Sequence, residues 1–332
     1  MFKPQKIYYE PQIENYELGK ELLKKYEDTP KVQIQSHNNI EEMRKNSNKE
    51  FLNMKKNLII GVRKTQKFVE NHKVSDYLVP YTSSGCIAAC MYCYLVCNYN
   101  KCSYLRLFVN REELLSKIIE KAEKSEKELT FEIGSNSDLV LENTITNNLV
   151  WTIENFSNTK KGKITFPTKF EMVDSILNLN HNGKIIVRMS VNPEEIINEI
   201  EIGTSRLIAR IEAINKLKEA GYEIGILIAP VIFVENWKEK YLELIKILES
   251  KLSAKVKKDV FFEVIFMTYS YVHTKINEEA FKSKVQIYSK EQMTGRGRGK
   301  YWYKKELREE GEKFFLENLK KYFHKNKILY IV

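Results

Sequence analysis

The stretch Asp76-Tyr-Leu-Val-Pro-Tyr-Thr-Ser-Ser-Gly-Cys-Ile-Ala-Ala-Cys-Met-Tyr-Cys-Tyr-Leu95 decides how this 332-residue sequence reads. Residues 77–81 form an apolar run of strand length. The run closes on Thr82-Ser83-Ser84-Gly85, small polar residues ending in glycine, which is turn chemistry. Cys86, Cys90 and Cys93 follow at once. A strand that feeds a turn carrying reactive side chains is the pattern of α/β folds, where ligands gather at the carboxyl ends of parallel strands.

The pattern repeats downstream. Apolar runs of strand length recur at 129–133, 164–166, 184–191, 223–228 and 260–267. Between them apolar residues take helical spacing. One stripe is Leu114, Leu115, Ile118, Ile119 and Ala122. A second is Ile208, Ile211, Ala213, Ile214, Leu217 and Ala220. A third is Trp237, Tyr241, Leu244, Ile245 and Leu248. Six strand–helix repeats imply a parallel sheet with right-handed crossovers. They are too few for a closed eight-stranded barrel. The expected fold is α/β, a partial (β/α)6 TIM-type barrel over residues 76–268. Polar residues collect where its strands end: Ser137 and Asp138 after the second, Lys169 after the third, Ser190 and Asn192 on the fourth.

Residues 1–75 read as a separate N-terminal α/β layer. It has a helix at 16–26, a strand at 32–35, a polar helix at 40–56, a strand at 57–62 and a polar linker at 64–75. Residues 269–332 change character. From 290 onward the chain carries twelve Lys or Arg against six Asp or Glu, more than half of the formal net charge of +10. The sequence Gly295-Arg-Gly-Arg-Gly-Lys-Tyr-Trp-Tyr303 predicts a hairpin tip, and residues 306–323 an amphipathic helix. Arg296, Arg298, Lys300 and Tyr301 suit phosphate contact and base stacking, and so are candidate DNA-binding residues. The plainer reading is a basic surface loop.

Apolar residues make up 43% of the chain, enough for a sizeable core. The first ten residues, MFKPQKIYYE, contain no apolar leader, and no run reaches the ~18 apolar residues of a spanning helix. The expectation is a cytoplasmic protein without a membrane partner.

All five cysteines, Cys86, Cys90, Cys93, Cys97 and Cys102, fall in one segment. A disulfide framework would spread them over a small secreted domain; a tight cluster in a large chain points to metal ligation. The spacing C-x3-C-x2-C supplies three thiolates from one loop. Three irons of a [4Fe–4S] cubane would then have protein ligands, and the fourth would be open to S-adenosylmethionine. Zinc modules use paired C-x2-C knuckles, and Cys97 and Cys102 have the wrong spacing for a second pair. An iron–sulfur enzyme and a zinc- and nucleic-acid-binding module both stand at this point.

The motif, with Tyr92 before its last cysteine, resembles the radical S-adenosylmethionine superfamily. A co-linear set of stretches resembles one family within it, the spore photoproduct lyases. The set is GVRKTQKF at 61–68, GCIAACMYCYL at 85–95, YLRLFVN at 104–110 and FEIGSNSDLV at 131–140. It continues with TKF at 168–170, HNGK at 181–184, GTSRLIARIEA at 203–213, the AGY…AP segment at 220–230, FFEVI at 261–265 and GRGKYWY at 297–303.

The resemblance implies a DNA repair enzyme of spore-forming bacteria, acting in the spore core. It would reverse a methylene-bridged thymine pair through a 5′-deoxyadenosyl radical. It implies cluster ligation by Cys86, Cys90 and Cys93, and S-adenosylmethionine contacts from Ser137, Lys169 and Ser190. It implies a hydrogen relay through Tyr92 and Tyr94. Damaged DNA and an electron donor such as flavodoxin or ferredoxin would be its partners, and the protein would be a monomer.

Two departures from the family stand out. Ser135 occupies the place of a hydrogen-donating cysteine, and an O–H bond is harder to homolyse than an S–H bond. Cys97, or with less claim Cys102, is the expected replacement. At the hairpin, Gly295 and Arg296 stand where the family has an Arg-Tyr pair, leaving Tyr301 and Trp302 as candidate aromatics. A lyase of the same lineage acting on another nucleic-acid substrate is the alternative these departures admit.

Overall fold

The computed structural model describes residues 2–98, 104–282 and 285–332; the side chains of Cys97 and Asn98 are outside that description, as is all of Cys102. The chain divides into two compact units. The first comprises Met1–Ala88, Leu95–Phe166 and Asp174–Ile185; the second comprises Ala89–Tyr94, Pro167–Val173 and Ile186–Val332.

The first unit opens on a sheet of strands in the order Lys31–Gln33, Ile7–Tyr9, Leu58–Gly61, Arg106–Phe108, Ser83–Ser84. The first four are parallel and the last runs antiparallel. Ile7, Leu58, Ile60, Leu105 and Leu107 point into a core closed by Leu18 and Leu22 of the helix Glu17–Lys25. Three further strands carry the repeat seen in the sequence. Tyr77–Leu78 pairs parallel to Thr130–Glu132, which pairs parallel to Lys163–Thr168. The helix Arg111–Glu123 buries Leu114, Leu115, Ile118 and Ala122, the expected stripe, with Ile119 at its edge.

The second unit holds the other three strands of the repeat. Ile185–Val191 pairs parallel to Glu223–Val231, and that strand to Phe261–Phe266. Gly225 is required here: a Cβ would lie 2.5 Å from the Phe261 ring. Ile185–Val191 is buried at every position, which explains its nearly continuous apolar sequence. Two polar residues interrupt it, Ser190 and Arg188, and the Arg188 guanidinium pairs with Glu263 at 2.9 Å inside the unit.

Some expectations are corrected. The helix expected at 40–56 breaks into Glu41–Arg44, a 3-10 turn Asn48–Glu50 and Phe51–Met54. Asn46-Ser47-Asn48 interrupts it, because such side chains compete for backbone hydrogen bonds. The linker at 64–75 contains the strand Val69–Glu70, antiparallel to Tyr77–Leu78. A further parallel strand, Ile328–Ile331, pairs with Phe261–Phe266. The C-terminal helix is present at Lys305–Tyr322 and the hairpin at Met293–Gly297 and Lys300–Tyr303. Among the described residues no helix is long and apolar enough to cross a membrane.

Candidate active site

In the first unit, the short strand Ser83–Ser84 delivers the chain to Gly85, whose φ of 77° suits glycine. The Gly85 N–H donates to Asn136 O at 2.7 Å. Lys55 donates to Cys86 O at 2.9 Å, and Cys86 Sγ accepts from the Ala88 N–H at 3.3 Å. Beneath the strand lies Glu142, fully buried, accepting from Thr82 Oγ1 at 3.0 Å, from Ser83 Oγ, and from Asn148 Nδ2 at 2.7 Å. Burial pushes its carboxyl above the ordinary range, against the pull of these donors. Ser135 Oγ donates to Glu132 Oε1 at 2.6 Å. Ser137 Oγ is buried and has no hydrogen-bond partner among the described residues.

In the second unit, the strand Ala89–Cys90 pairs antiparallel with Glu201–Ile202, setting Cys90 opposite Glu201. The Cys93 N–H donates to Cys90 O at 3.1 Å, closing the turn between the last two cysteines. Asn277 donates to Met91 O at 3.0 Å. Cys86, Cys90 and Cys93 are all half-buried. Among the described residues no three His, Cys, Asp or Glu side chains form a ready-made metal cage. The suitability of the cysteines rests on donor chemistry: three thiols on one loop, each reachable.

Lys169 and Ser190 are brought together directly. Lys169 Nζ donates to Ser190 Oγ at 2.7 Å, to Glu201 Oε1 at 2.7 Å and to Ala229 O at 2.9 Å. The Tyr92 hydroxyl donates to Glu201 Oε1, and the Lys169 ammonium lies 5.5 Å from the centre of the Tyr92 ring. Burial and the Glu201 charge push the Tyr92 phenol well above its usual range. Burial alone would raise the Glu201 carboxyl too, but the Lys169 and Arg210 charges outweigh it and hold that carboxyl at about 2. Tyr94, the other expected relay tyrosine, is 47% exposed. Cys97 has its backbone in the helix Leu95–Asn98, its side chain outside the described residues.

The hairpin tip is Gly297-Arg298-Gly299, all at positive φ (86°, 51° and 67°). Arg296, Arg298 and Lys300 are exposed. Neither candidate aromatic is at the tip. Tyr301 packs edge-on against Tyr288, and the guanidiniums of Arg296 and Arg308 lie 4.7 and 4.5 Å from the Trp302 ring centre.

Sequence reasoning missed Glu201, Arg210 and His273. Glu201 and Arg210 lie in or beside a quoted family stretch, but a buried ion pair nine residues apart has no periodic signature. His273 is one of five histidines and stands in no motif.

Comparison with known proteins places these features in context. The family model described as spore photoproduct lyase matches residues 2–332. The chain is 36% identical over 314 residues to a spore photoproduct lyase of Bacillus subtilis, covering 92% of this chain and 91% of the relative. It is 30% identical over 342 residues to a spore photoproduct lyase of Clostridium acetobutylicum, covering 98% of each. A solved spore photoproduct lyase complexed with dinucleoside spore photoproduct superposes with a TM-score of 0.91 at 30% identity, over 100% of this chain and 99% of that one. A mutant of spore photoproduct lyase with bound AdoMet and dinucleoside spore photoproduct gives 0.91 at 29% identity, with the same coverage. The likeness bears out the α/β partial-barrel class expected from the six repeats.

Proposed function

The chain belongs to the spore photoproduct lyase family, and on that premise we infer what it does to DNA: it reverses the spore photoproduct to two thymines. It is a radical S-adenosylmethionine lyase. The single observation that carries the reading is the whole-chain match to a lyase solved with the dinucleoside lesion. The net change is an isomerisation. One hydrogen leaves C6 of the saturated ring, the methylene bridge breaks, and one hydrogen is delivered to the methylene carbon.

The residues present suit the cofactors. Cys86, Cys90 and Cys93 would hold a [4Fe–4S] cluster, and thiolates are its usual ligands. Ser137, Lys169 and Ser190 would hold S-adenosylmethionine. Ser137 Oγ, buried without a partner among the described residues, is the kind of polar atom a ligand satisfies. Together these groups supply a 5′-deoxyadenosyl radical when bound. The protein's own part is to fix the cysteine loop through Gly85, Asn136 and Asn277, to keep a cation at Lys169, and to present Tyr92 and Tyr94 as hydrogen relay.

Residues 269–332 would meet the damaged duplex, through Arg296, Arg298, Lys300 and Tyr301. Their positive charge supplies sequence-independent affinity for phosphate. The lesion must leave the base stack to be reached, and the hairpin is the part suited to hold the opened strand. A basic surface also suits a low-potential acidic donor such as flavodoxin or ferredoxin. The protein would act as a monomer in the cytoplasm of the spore core.

The test is anaerobic reconstitution with iron and sulfide, followed by turnover on dinucleoside spore photoproduct. Thymine release with no net loss of S-adenosylmethionine is the expected result. A colourless protein holding one zinc would overturn the cluster, and cofactor cleavage without thymine release would point to another substrate.

A further inference from the structure

Glu201 has no side-chain exposure, and four side chains donate to it. Arg210 Nη2 reaches Oε2 at 2.7 Å. Oε1 takes Lys169 Nζ at 2.7 Å, Asn192 Nδ2 at 2.9 Å and the Tyr92 hydroxyl. Arg210 compensates the charge at Oε2, and burial requires that Oε1 be satisfied as well. Any donors would meet that need; which donors do so is the informative part. Three donors from three separate segments converge on this one oxygen. Two of them are the residues assigned above to the cofactor and to the relay.

An ammonium has three donors. Those of Lys169 meet Ser190 Oγ, Glu201 Oε1 and Ala229 O, and only the Glu201 oxygen is charged. Its stem alone would leave the ammonium free to rotate; Glu201 supplies the strongest of its three restraints. Tyr92 has one phenolic proton, and Glu201 takes it. Glu201 is in turn registered to the cysteine loop, through its pairing with Cys90 and the Met91 N–H bond to Ile200 O at 3.0 Å.

We propose that Glu201 is a positioning residue whose single carboxylate sets both the Lys169 ammonium that meets the cofactor and the Tyr92 hydroxyl that serves the relay. The proposal rests on the lyase reading and names what aligns its two halves. It makes cofactor affinity and the fidelity of hydrogen return depend on one side chain that touches neither cofactor nor lesion.

The experiment compares wild type, Glu201→Gln, Tyr92→Phe and the double variant, each cluster-loaded and anaerobic. The first reading is S-adenosylmethionine affinity, followed by the change it makes in the electron paramagnetic resonance of the reduced cluster. The second is cofactor consumed per thymine released from the dinucleoside lesion. Glu201→Gln should weaken affinity by about tenfold, the scale of one lost charge-assisted contact. It should also raise cofactor consumption per thymine. Tyr92→Phe should raise consumption while leaving affinity near wild type. The double variant should consume no more per thymine than Tyr92→Phe alone, because Glu201 acts on the relay through Tyr92.

A structural role would lower the melting temperature and leave both readings unchanged, or would add its consumption to that of Tyr92→Phe; either result overturns the proposal. Should Glu201→Gln fail to fold, Glu201→Asp takes its place, keeping a charge beside Arg210 but drawing it back from Oε1's partners. Wild-type affinity and consumption in that variant would overturn the proposal equally. Wild type that releases no thymine would sink the lyase reading, while the affinity arm, which needs no lesion, would still decide the role of Glu201 toward Lys169.

Discussion

His273 Nε2 lies 3.1 Å from the backbone carbonyl of Cys93, and the other ring nitrogen fixes which way that bond runs. The Ser270 backbone N–H meets His273 Nδ1 at 3.0 Å and can only donate. Nδ1 is therefore the acceptor, and the proton sits on Nε2 and is given to Cys93 O. Burial lowers the imidazole's proton affinity, in keeping with a neutral ring. Ser270 itself pairs with Lys300 of the hairpin. One neutral histidine thus joins the tip end of the hairpin to the carbonyl of a candidate cluster ligand.

Replacing His273 with alanine removes the hydrogen bonds its ring makes with the Ser270 N–H and the Cys93 carbonyl. The expected cost is about 1–3 kcal/mol, read as a lower midpoint in urea unfolding. The loop carrying Cys93 should also loosen, so that the variant retains less iron per chain after reconstitution and gel filtration. Equal iron retention at reduced stability would confine His273 to the fold.

Glu142 sets a pH dependence whose sign follows from its environment. Burial raises its folded-state pKa above the unfolded value of 4.5. A carboxyl raised on folding favours its protonated form in the native state. Its contribution is fully present below the unfolded pKa and is lost as pH rises through the folded value. Glu142→Gln keeps the shape and removes the ionisation. Unfolding of the two proteins in urea, compared from about pH 8 down to about pH 5, should show the wild type gaining on the variant as pH falls. Glu142→Ala should be destabilising throughout, because Thr82, Ser83 and Asn148 all donate to this carboxylate.

The contrast between Glu142 and the strand repeat marks what a sequence exposes. The strands at Glu223–Val231 and Phe261–Phe266 are legible because burial on both faces demands apolar runs. The cysteine loop is legible because ligand spacing is local. Ile328–Ile331 was hidden by its surroundings: a four-residue strand after a charged helix carries little periodic signal. Glu142 and Glu201 were hidden for a different reason. A buried carboxylate is written with the same letter as a solvated one, and only its donors, drawn from distant segments, distinguish it. Lys169 and Ser190 could be named from the resemblance; that they share Ala229 O as a common acceptor could not.

At the hairpin, Arg298 can be separated from the backbone that carries it. Its φ of 51° is one that glycine adopts without cost. Arg298→Gly should leave the melting temperature unchanged or slightly higher. If the guanidinium meets phosphate, duplex affinity should fall, and the slope of log affinity against log salt should shrink by about 0.9. Turnover on a free dinucleoside lesion should be unaffected, since that substrate has no duplex to hold. An unchanged salt slope would remove Arg298 from the DNA contacts.

The return of hydrogen to the product poses the sharpest question about this chain. By the family resemblance, Ser135 would stand where members often have a hydrogen-donating cysteine; its hydroxyl donates to Glu132 Oε1 at 2.6 Å. An alcohol O–H resists homolysis far more than a thiol S–H, and a hydrogen bond to a carboxylate holds the proton further. If Cys97 is the replacement, Cys97→Ala should divert repair into by-products and raise cofactor consumption per thymine. Adding Ser135→Cys to that variant restores a thiol at the family's position and should recover clean repair. Ser135→Cys in the wild-type background should change little, because a thiol is already in use. The three variants together separate the donors: clean repair by Cys97→Ala would clear Cys97 and leave Cys102, to be tested by Cys102→Ala, and Tyr94, exposed beside the cluster motif, to be tested by Tyr94→Phe.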